Sequence, residues 1–204
     1  ILNDDGTMAR RPELEIFAKK HNLKVGTIAD LIEYRNLNET TIEQVATCNL
    51  PTAYGDFELI TFKDVIDEQI HFALKKGEVI EGKPTLVRVH LHNTLSDLLC
   101  STRAINRSMP LSESMQRINK EGGVLVLLGK KEDIISQVKM FQAEDNDEVA
   151  EGKAWEGSSR TVGVGSQILA SLGITKMRLL SKPIKYSALS GFGLEVVEYI
   201  YDKK

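Results

Sequence analysis

The chain has 204 residues, 42% hydrophobic and 27% charged, with a formal net charge of −3. That is ordinary globular composition, long enough for one sizeable core or for one domain plus part of another. The charge balance offers no basic field for nucleic acid, and no apolar run reaches the roughly 18 residues that a membrane span needs.

Two cysteines, Cys48 and Cys100, give no disulfide framework and suit a reducing cytoplasm. The opening Ile1-Leu2-Asn3 has neither an initiator Met nor the charged and apolar regions of a signal peptide, so it reads as the interior of a longer protein. Residues 13–21 place Leu14, Phe17 and Ala18 on one helical face. Asn22 is the expected stop, Lys24–Gly26 a short strand, and Thr27 the cap of a second helix with the stripe Ile28, Leu31, Ile32. Asn36–Thr41 is polar and aperiodic, which makes residues 37–42 a linker. The 36 residues before it are too few to bury a core alone.

Beyond the linker the period shortens. Gln44–Leu50 reads as a strand broken by Pro51, and Phe57–Phe62 and Gln69–Leu74 alternate around a turn at Asp64–Glu68. Leu86–His90 is a further strand. Helices are expected over Leu98–Ile105 and Pro110–Lys120, the latter ended by Gly122-Gly123. Val124–Leu128 is a buried strand, Glu132–Gln142 a helix, and 144–157 an acidic loop. A helix over 159–172, a strand Met177–Leu180, a turn at Lys182-Pro183, a short helix to Leu189 and a strand Leu194–Tyr199 complete the pattern. Strands first, then alternating helix and strand, imply an α+β fold with a mixed sheet. The aromatics, Phe17 and Tyr34 included, are spaced as core positions, and there is no repeat or low-complexity tract.

Two stretches resemble known families. Asn3-Asp4-Asp5-Gly6-Thr7-Met8-Ala9-Arg10, with Leu14–His21 and Gly26–Arg35, resembles the C-terminal end of 3,4-dihydroxy-2-butanone 4-phosphate synthase. That resemblance covers residues 1–35 and makes 1–36 a short α/β remnant of the synthase domain. The family converts ribulose 5-phosphate to the four-carbon riboflavin precursor with magnesium or manganese. Its metal and substrate residues lie upstream of Asn3, so the remnant cannot perform that reaction.

Residues 43–204 are similar to GTP cyclohydrolase II. The anchors are Asn49-Leu50-Pro51-Thr52, Tyr54-Gly55-Asp56-Phe57, Leu86-Val87-Arg88-Val89-His90, Gly165-Ser166-Gln167-Ile168-Leu169, Arg178-Leu179-Leu180 and Gly191-Phe192-Gly193-Leu194-Glu195-Val196. The resemblance implies that family's mixed sheet with flanking helices, and a homodimer.

The resemblance also marks where chemistry is missing. The family holds zinc with three cysteines, whose thiolates are soft anionic ligands that leave an open position for water. Here those positions fall on Asn93, Ala104 and Asn106. The family's Arg-Gln-Glu-Gly-Arg loop reads Gly129-Lys130-Lys131-Glu132-Asp133. Its Asp-x-Arg segment reads Ser158-Ser159-Arg160, so the arginine stays and its aspartate is lost. The Thr-Asn-Asn-Pro turn becomes Ser181-Lys182-Pro183. His90 and His92, two apart on a strand, share a face and with Cys100 form an alternative metal triad. No specific zinc spacing supports it, and one core cysteine with two partly exposed histidines is the preferred reading.

These replacements imply no catalytic residue, no cofactor and no zinc within residues 1–204. Arg88, Arg160, Ser181 and Lys185 remain as candidate phosphate or nucleotide contacts, with Arg88 and Lys185 equally explained by folding or solubility. The expected partners are the synthase domain of the same chain, a second copy, and a nucleotide or phosphate ligand, in the cytoplasm and without nucleic acid or membrane. The expected role of 43–204 is to stabilise, dimerise or regulate that synthase. A phosphate-sensing domain and a divergent hydrolase are the alternatives.

Overall fold

The computed structural model describes residues 1–3, 5–26, 31, 34–35, 39–103, 109–145, 159–183 and 189–201. Helix α1 spans Arg11–Lys20. Its start is set by Glu13, whose carboxylate accepts the Arg10 backbone N–H at 2.8 Å, and by Pro12 in the first turn. Lys19 and Lys20 complement the dipole at its end. Of the predicted stripe, Ala18 is buried and Leu14 half-buried, whereas Phe17 is 36% exposed. The aromatic side chains of Phe17 and Tyr34 are therefore not core positions. Lys24–Gly26 forms no strand, and the pairing found in this segment is a single bridge between Leu2 and Met8. The start of the second predicted helix, from Thr27, lies outside the described residues.

Strands follow as β1 Ile42–Thr52, β2 Gly55–Asp64, β3 Ile70–Lys76, β4 Thr85–Leu91, β5 Gly123–Leu128, β6 Lys176–Leu179 and β7 Glu195–Tyr199. They form one sheet in the order β1-β2-β3-β5-β4-β6-β7. Pairings from β1 to β5 are antiparallel, whereas β5-β4, β4-β6 and β6-β7 are parallel. The sheet is thus mixed, within an α+β fold. Helices α2 Leu111–Glu121, α3 Ile134–Asp145 and α4 Ser159–Ser171 flank it.

Pro51 does not end β1. The strand runs through to Thr52, with Pro51 opposite Asp56, because β1 is the sheet's outer strand and a missing N–H there costs no ladder bond. The linker's last residues are also tied down. Thr41 N–H donates to Gln167 Oε1 at 2.8 Å, Gln167 Nε2 donates to the Glu39 carbonyl at 3.0 Å, and Ile42 is buried in the core.

The core lies on both faces of the sheet. On one, Val87, Val126 and Leu128 pack with Ile168, Leu169 and Val164 of α4; on the other, Leu86, Leu125 and Phe57 pack with Met115 and Ile118 of α2. β5, Gly-Val-Leu-Val-Leu-Leu, reads as a continuous apolar run because it is covered on both sides. At its start Gly123 has φ +137°, and a Cβ there would strike the Leu86 carbonyl oxygen. Val197, on β7, is 44% exposed.

One predicted helix is not found where expected. In place of Leu98–Ile105 there is a single wide turn over Thr94–Leu98, after which the chain leaves helical geometry and Cys100 adopts φ +53°. Leu98 and Leu99 are exposed. Near Leu189 a short 3₁₀ turn covers Leu189–Phe192; residues 184–188 lie outside the described residues. Helix α3 continues to Asp145, and most of the predicted acidic loop also falls outside them.

Candidate functional site

β4 and β5 point their C-terminal ends at one corner of the sheet, where two polar clusters sit on opposite faces. Arg88 and His90 share the face of Leu86, against α2, by the period-2 alternation of β4. Arg88 is 5% exposed. Its Nη1 donates to the Leu180 carbonyl at 2.6 Å and its Nη2 to the Met109 carbonyl at 3.3 Å. The guanidinium therefore joins β4 to the segments that follow β6 and precede α2.

His90, 6% exposed, faces Asp97 with Nε2 at 2.9 and 3.0 Å from the two carboxylate oxygens. Asp97 also accepts the Asn93 backbone N–H at 2.9 Å. Nδ1 of His90 faces the Arg88 guanidinium at 3.5 Å, so the proton belongs on Nε2. Burial pushes the imidazole below its ordinary pKa, with the Asp97 hydrogen bond partly opposing. Beside it, His92 Nδ1 lies 2.8 Å from Glu132, and the Glu132 carboxylate accepts the Thr94 N–H at 2.8 Å.

Asn93, at the position of the family's first thiolate, is committed to the backbone turn. Its Oδ1 accepts the Ser96 N–H at 2.9 Å and its Nδ2 donates to Gln137 at 2.8 Å. Ala104 and Asn106 lie outside the described residues. The donor set of amide, methyl and amide does not fit a zinc ion, and among the described residues no group of three or more His, Cys, Asp or Glu is arranged to hold one. The predicted burial pattern holds only for His92, which is partly exposed: Cys100 is exposed and His90 is buried, and each of the two histidines faces a carboxylate. This follows from His90 pointing into the α2 face and Cys100 lying past the turn.

The second cluster lies on the α4 face. Arg160, in the first turn of α4, donates to Asp64 at 2.8 Å and lies 3.3 Å from Asp67. Asp64 is 1% exposed, and its other oxygen accepts the Ile66 N–H at 2.8 Å. His71 on β3 is 5% exposed and accepts the Gly129 N–H on Nδ1 at 3.0 Å. Gly129 is required there, since a Cβ would collide with the Ile70 carbonyl oxygen. A cavity of about 330 Å³ opens between these groups.

The candidate contacts are thus dispersed. Arg88 braces the α2 face, and Arg160 is paired with two aspartates on the α4 face. Ser181, at the end of β6, turns its hydroxyl to the Lys182 carbonyl at 2.9 Å. Lys185 lies outside the described residues. Sequence reasoning missed His71, Asp64 and Asp97. The alternation of Ile70, Phe72 and Leu74 assigns His71 to the opposite, polar face of its strand, so no local signal marked it as buried. The aspartates sit in segments read as a turn and as the start of a helix.

Comparison with known proteins fits this geometry. The family model for GTP cyclohydrolase II matches residues 43–201, and that for 3,4-dihydroxy-2-butanone 4-phosphate synthase matches residues 1–34. A 3,4-dihydroxy-2-butanone 4-phosphate synthase from Photobacterium phosphoreum is 52% identical over 98% of this chain and 54% of its own length. A riboflavin biosynthesis protein RibBA from Aquifex aeolicus is 42% identical over 98% of this chain and 52% of its own. The crystal structure of RibBX, a two-domain 3,4-dihydroxy-2-butanone 4-phosphate synthase from A. baumannii, superposes with a TM-score of 0.67 at 40% identity, covering 99% of this chain and 53% of that one. The chain spans about half the length of the curated relatives it matches. No described helix is long and apolar enough to cross a membrane. Over most of its length, behind a short segment of the synthase family, this chain belongs to the GTP cyclohydrolase II family and has its link to riboflavin biosynthesis.

Proposed function

We propose that residues 43–204 form a non-catalytic domain that stabilises, dimerises or regulates a 3,4-dihydroxy-2-butanone 4-phosphate synthase carried on the same chain, with residues 1–36 the end of that synthase and 37–42 the connection. The observation that carries this reading is Asn93. The position where the family places a zinc thiolate bears a side chain whose two polar atoms both serve the local fold. His90 and His92 offer no substitute ligand set: Asp97 holds His90 Nε2, the Arg88 guanidinium faces its Nδ1, and among the described residues no group of three ligating side chains comes together. Arg160 is paired with Asp64 and Asp67, an arrangement that directs its guanidinium toward the β2–β3 turn.

The reading is supported by relatives that carry the synthase name across the same span. In the longer protein the synthase body supplies the reaction and its magnesium or manganese. The cyclohydrolase-like domain supplies buried surface, for which a stable subunit contact needs about 1,600 Å² in total. The test compares the longer protein with a version ending at residue 42. Loss of the domain is expected to lower the melting temperature of the synthase and change its turnover or its oligomeric state. If all three are unchanged, the supporting role is wrong; GTP hydrolysis by the full-length protein would also remove it.

A further inference from the structure

The cavity on the α4 face is lined by a buried side-chain donor that has no acceptor among the described residues. A backbone amide can only donate, so the 3.0 Å contact from Gly129 N–H fixes a lone pair on His71 Nδ1 and leaves the ring proton on Nε2. Among the described residues Nε2 is buried with no hydrogen-bond partner. The neighbouring carboxylates do not serve it: Asp64 accepts from Ile66 and Arg160, and Asp67 faces Arg160. Buried donors are paired in nearly all native structures, by protein, water or ligand.

The surroundings indicate the sign of the missing acceptor. Three cations, Lys130, Lys131 and Arg160, line the cavity against two carboxylates, Asp64 and Asp67. Arg160 and Thr161 also bring the N-terminal turn of α4, a helix of 13 residues, to its wall, and helix N-termini favour negative charge. Leu128 and Val164 provide an apolar side. The volume of about 330 Å³ matches a small metabolite.

We propose that this cavity binds a small oxyanion, carried by a phosphate monoester or a carboxylate, with His71 Nε2–H as the donor at its base and Lys131 as a cation at its rim. The site is separate from the Arg88–His90–Asp97 cluster, which lies on the opposite face of the sheet. It does not depend on whether the domain supports a synthase.

The experiment uses the whole 204-residue chain. Inorganic phosphate and acetate are titrated separately by calorimetry, while the imidazole resonances of His71 are followed by NMR. Saturable binding is expected for at least one anion, together with a shift of the His71 Nε2–H signal. Phosphate alone identifies a phosphate-bearing ligand, and acetate alone a carboxylate. Lys131→Glu should weaken binding roughly tenfold or more by reversing a rim charge. His71→Phe should abolish it, and because that change strands the Gly129 N–H, the Lys131 variant gives an independent reading if folding fails. No saturable heat with either anion up to about 100 mM, which is weaker than any useful site, overturns the proposal. So does binding that leaves His71 unshifted or is unaltered in Lys131→Glu.

Discussion

Asp97→Ala tests whether the corner beyond β4 is held by its own side chains. The carboxylate accepts from His90 Nε2 at 2.9–3.0 Å and from the Asn93 N–H at 2.9 Å, and its side chain is only 8% exposed. Removing it strands two donors, one of them deep beneath the sheet edge. A buried donor left unpaired costs about 1–3 kcal/mol. Asn93 sits nearer solvent and belongs at the low end, so about 2–4 kcal/mol is expected in all. For a chain of this size each kcal/mol moves the midpoint by about 2–4 °C, which gives a fall of roughly 5–15 °C. Urea denaturation should show a lower midpoint with an unchanged slope. Asp97→Asn keeps an acceptor and should cost about half as much. In a His90→Phe background the penalty of Asp97→Ala should shrink, because one stranded donor is gone. An Asp97→Ala protein within about 0.5 kcal/mol of the parent, the range of ordinary surface changes, would refute the clamp.

Other outcomes follow from the same contacts. Ile118→Ala empties a fully buried position between α2 and the sheet and should cost about 2–5 kcal/mol, read from thermal unfolding. Gly129→Ala drives a methyl into the Ile70 carbonyl and should destabilise by about 1–3 kcal/mol, with loss of the His71 contact visible by NMR. Arg160→Ala leaves Asp64 buried beside the Ile66 amide alone; because Arg160 is 39% exposed, about 1–2 kcal/mol is expected and less in high salt, so an effect insensitive to salt would contradict the pairing. His71 and His90 are both held below their ordinary pKa by burial, with Asp64 and Asp67 opposing this at His71 and Asp97 at His90. As pH falls through about 6.5 the unfolded chain takes up protons first. Stability should therefore decline from about pH 7 to pH 5, and a rise over that interval in denaturant midpoints would reverse the assignment.

How much of this could be read from the sequence depended on whether a local rule or a long-range contact decided the outcome. β2, β4 and β5 follow from alternation and from the apolar run Val124–Leu128, because their burial is periodic along one strand. α2 follows from Met115 and Ile118 together with its glycine stop. Pro51 misled because its cost depends on whether the strand is at the sheet's edge, which only the strand order reveals. Leu98 and Leu99 misled in a different way. Helix propensity favoured them, but Asn93 caps a turn four residues upstream of the expected helix start, and the chain then leaves through a left-handed Cys100. At the corner the sequence places an amide, Asn93, where the resemblance expects the family's first thiolate. The carboxylate contacts there were not readable, because Asp97 and Glu132 are 35 residues apart and meet the histidines only after β4 and β5 pair.

That pairing explains how a family fold can persist while its polar corner is rewritten. The residues that hold β4, β5 and β6 together are mostly apolar and lie within the strands, whereas Asn93, Asp97 and Glu132 lie past the strand ends. Changes there leave Val87, Leu125 and Leu179 where they were, so the sheet does not register them. Buried donors at this corner must still be satisfied and charges there cannot be left unpaired. Here Asp97 and Glu132 supply the anions that thiolates would have contributed, and they bind imidazoles and backbone amides in place of a metal. The same logic places Asp64 and Asp67 on Arg160. His71 is the exception within this network: its partner on one nitrogen is built into the backbone, and the other nitrogen has none among the described residues. A fold that has closed its polar groups at one corner with carboxylates, yet leaves a donor open in a cationic cavity on the other face, has kept a place for an anion from outside the chain.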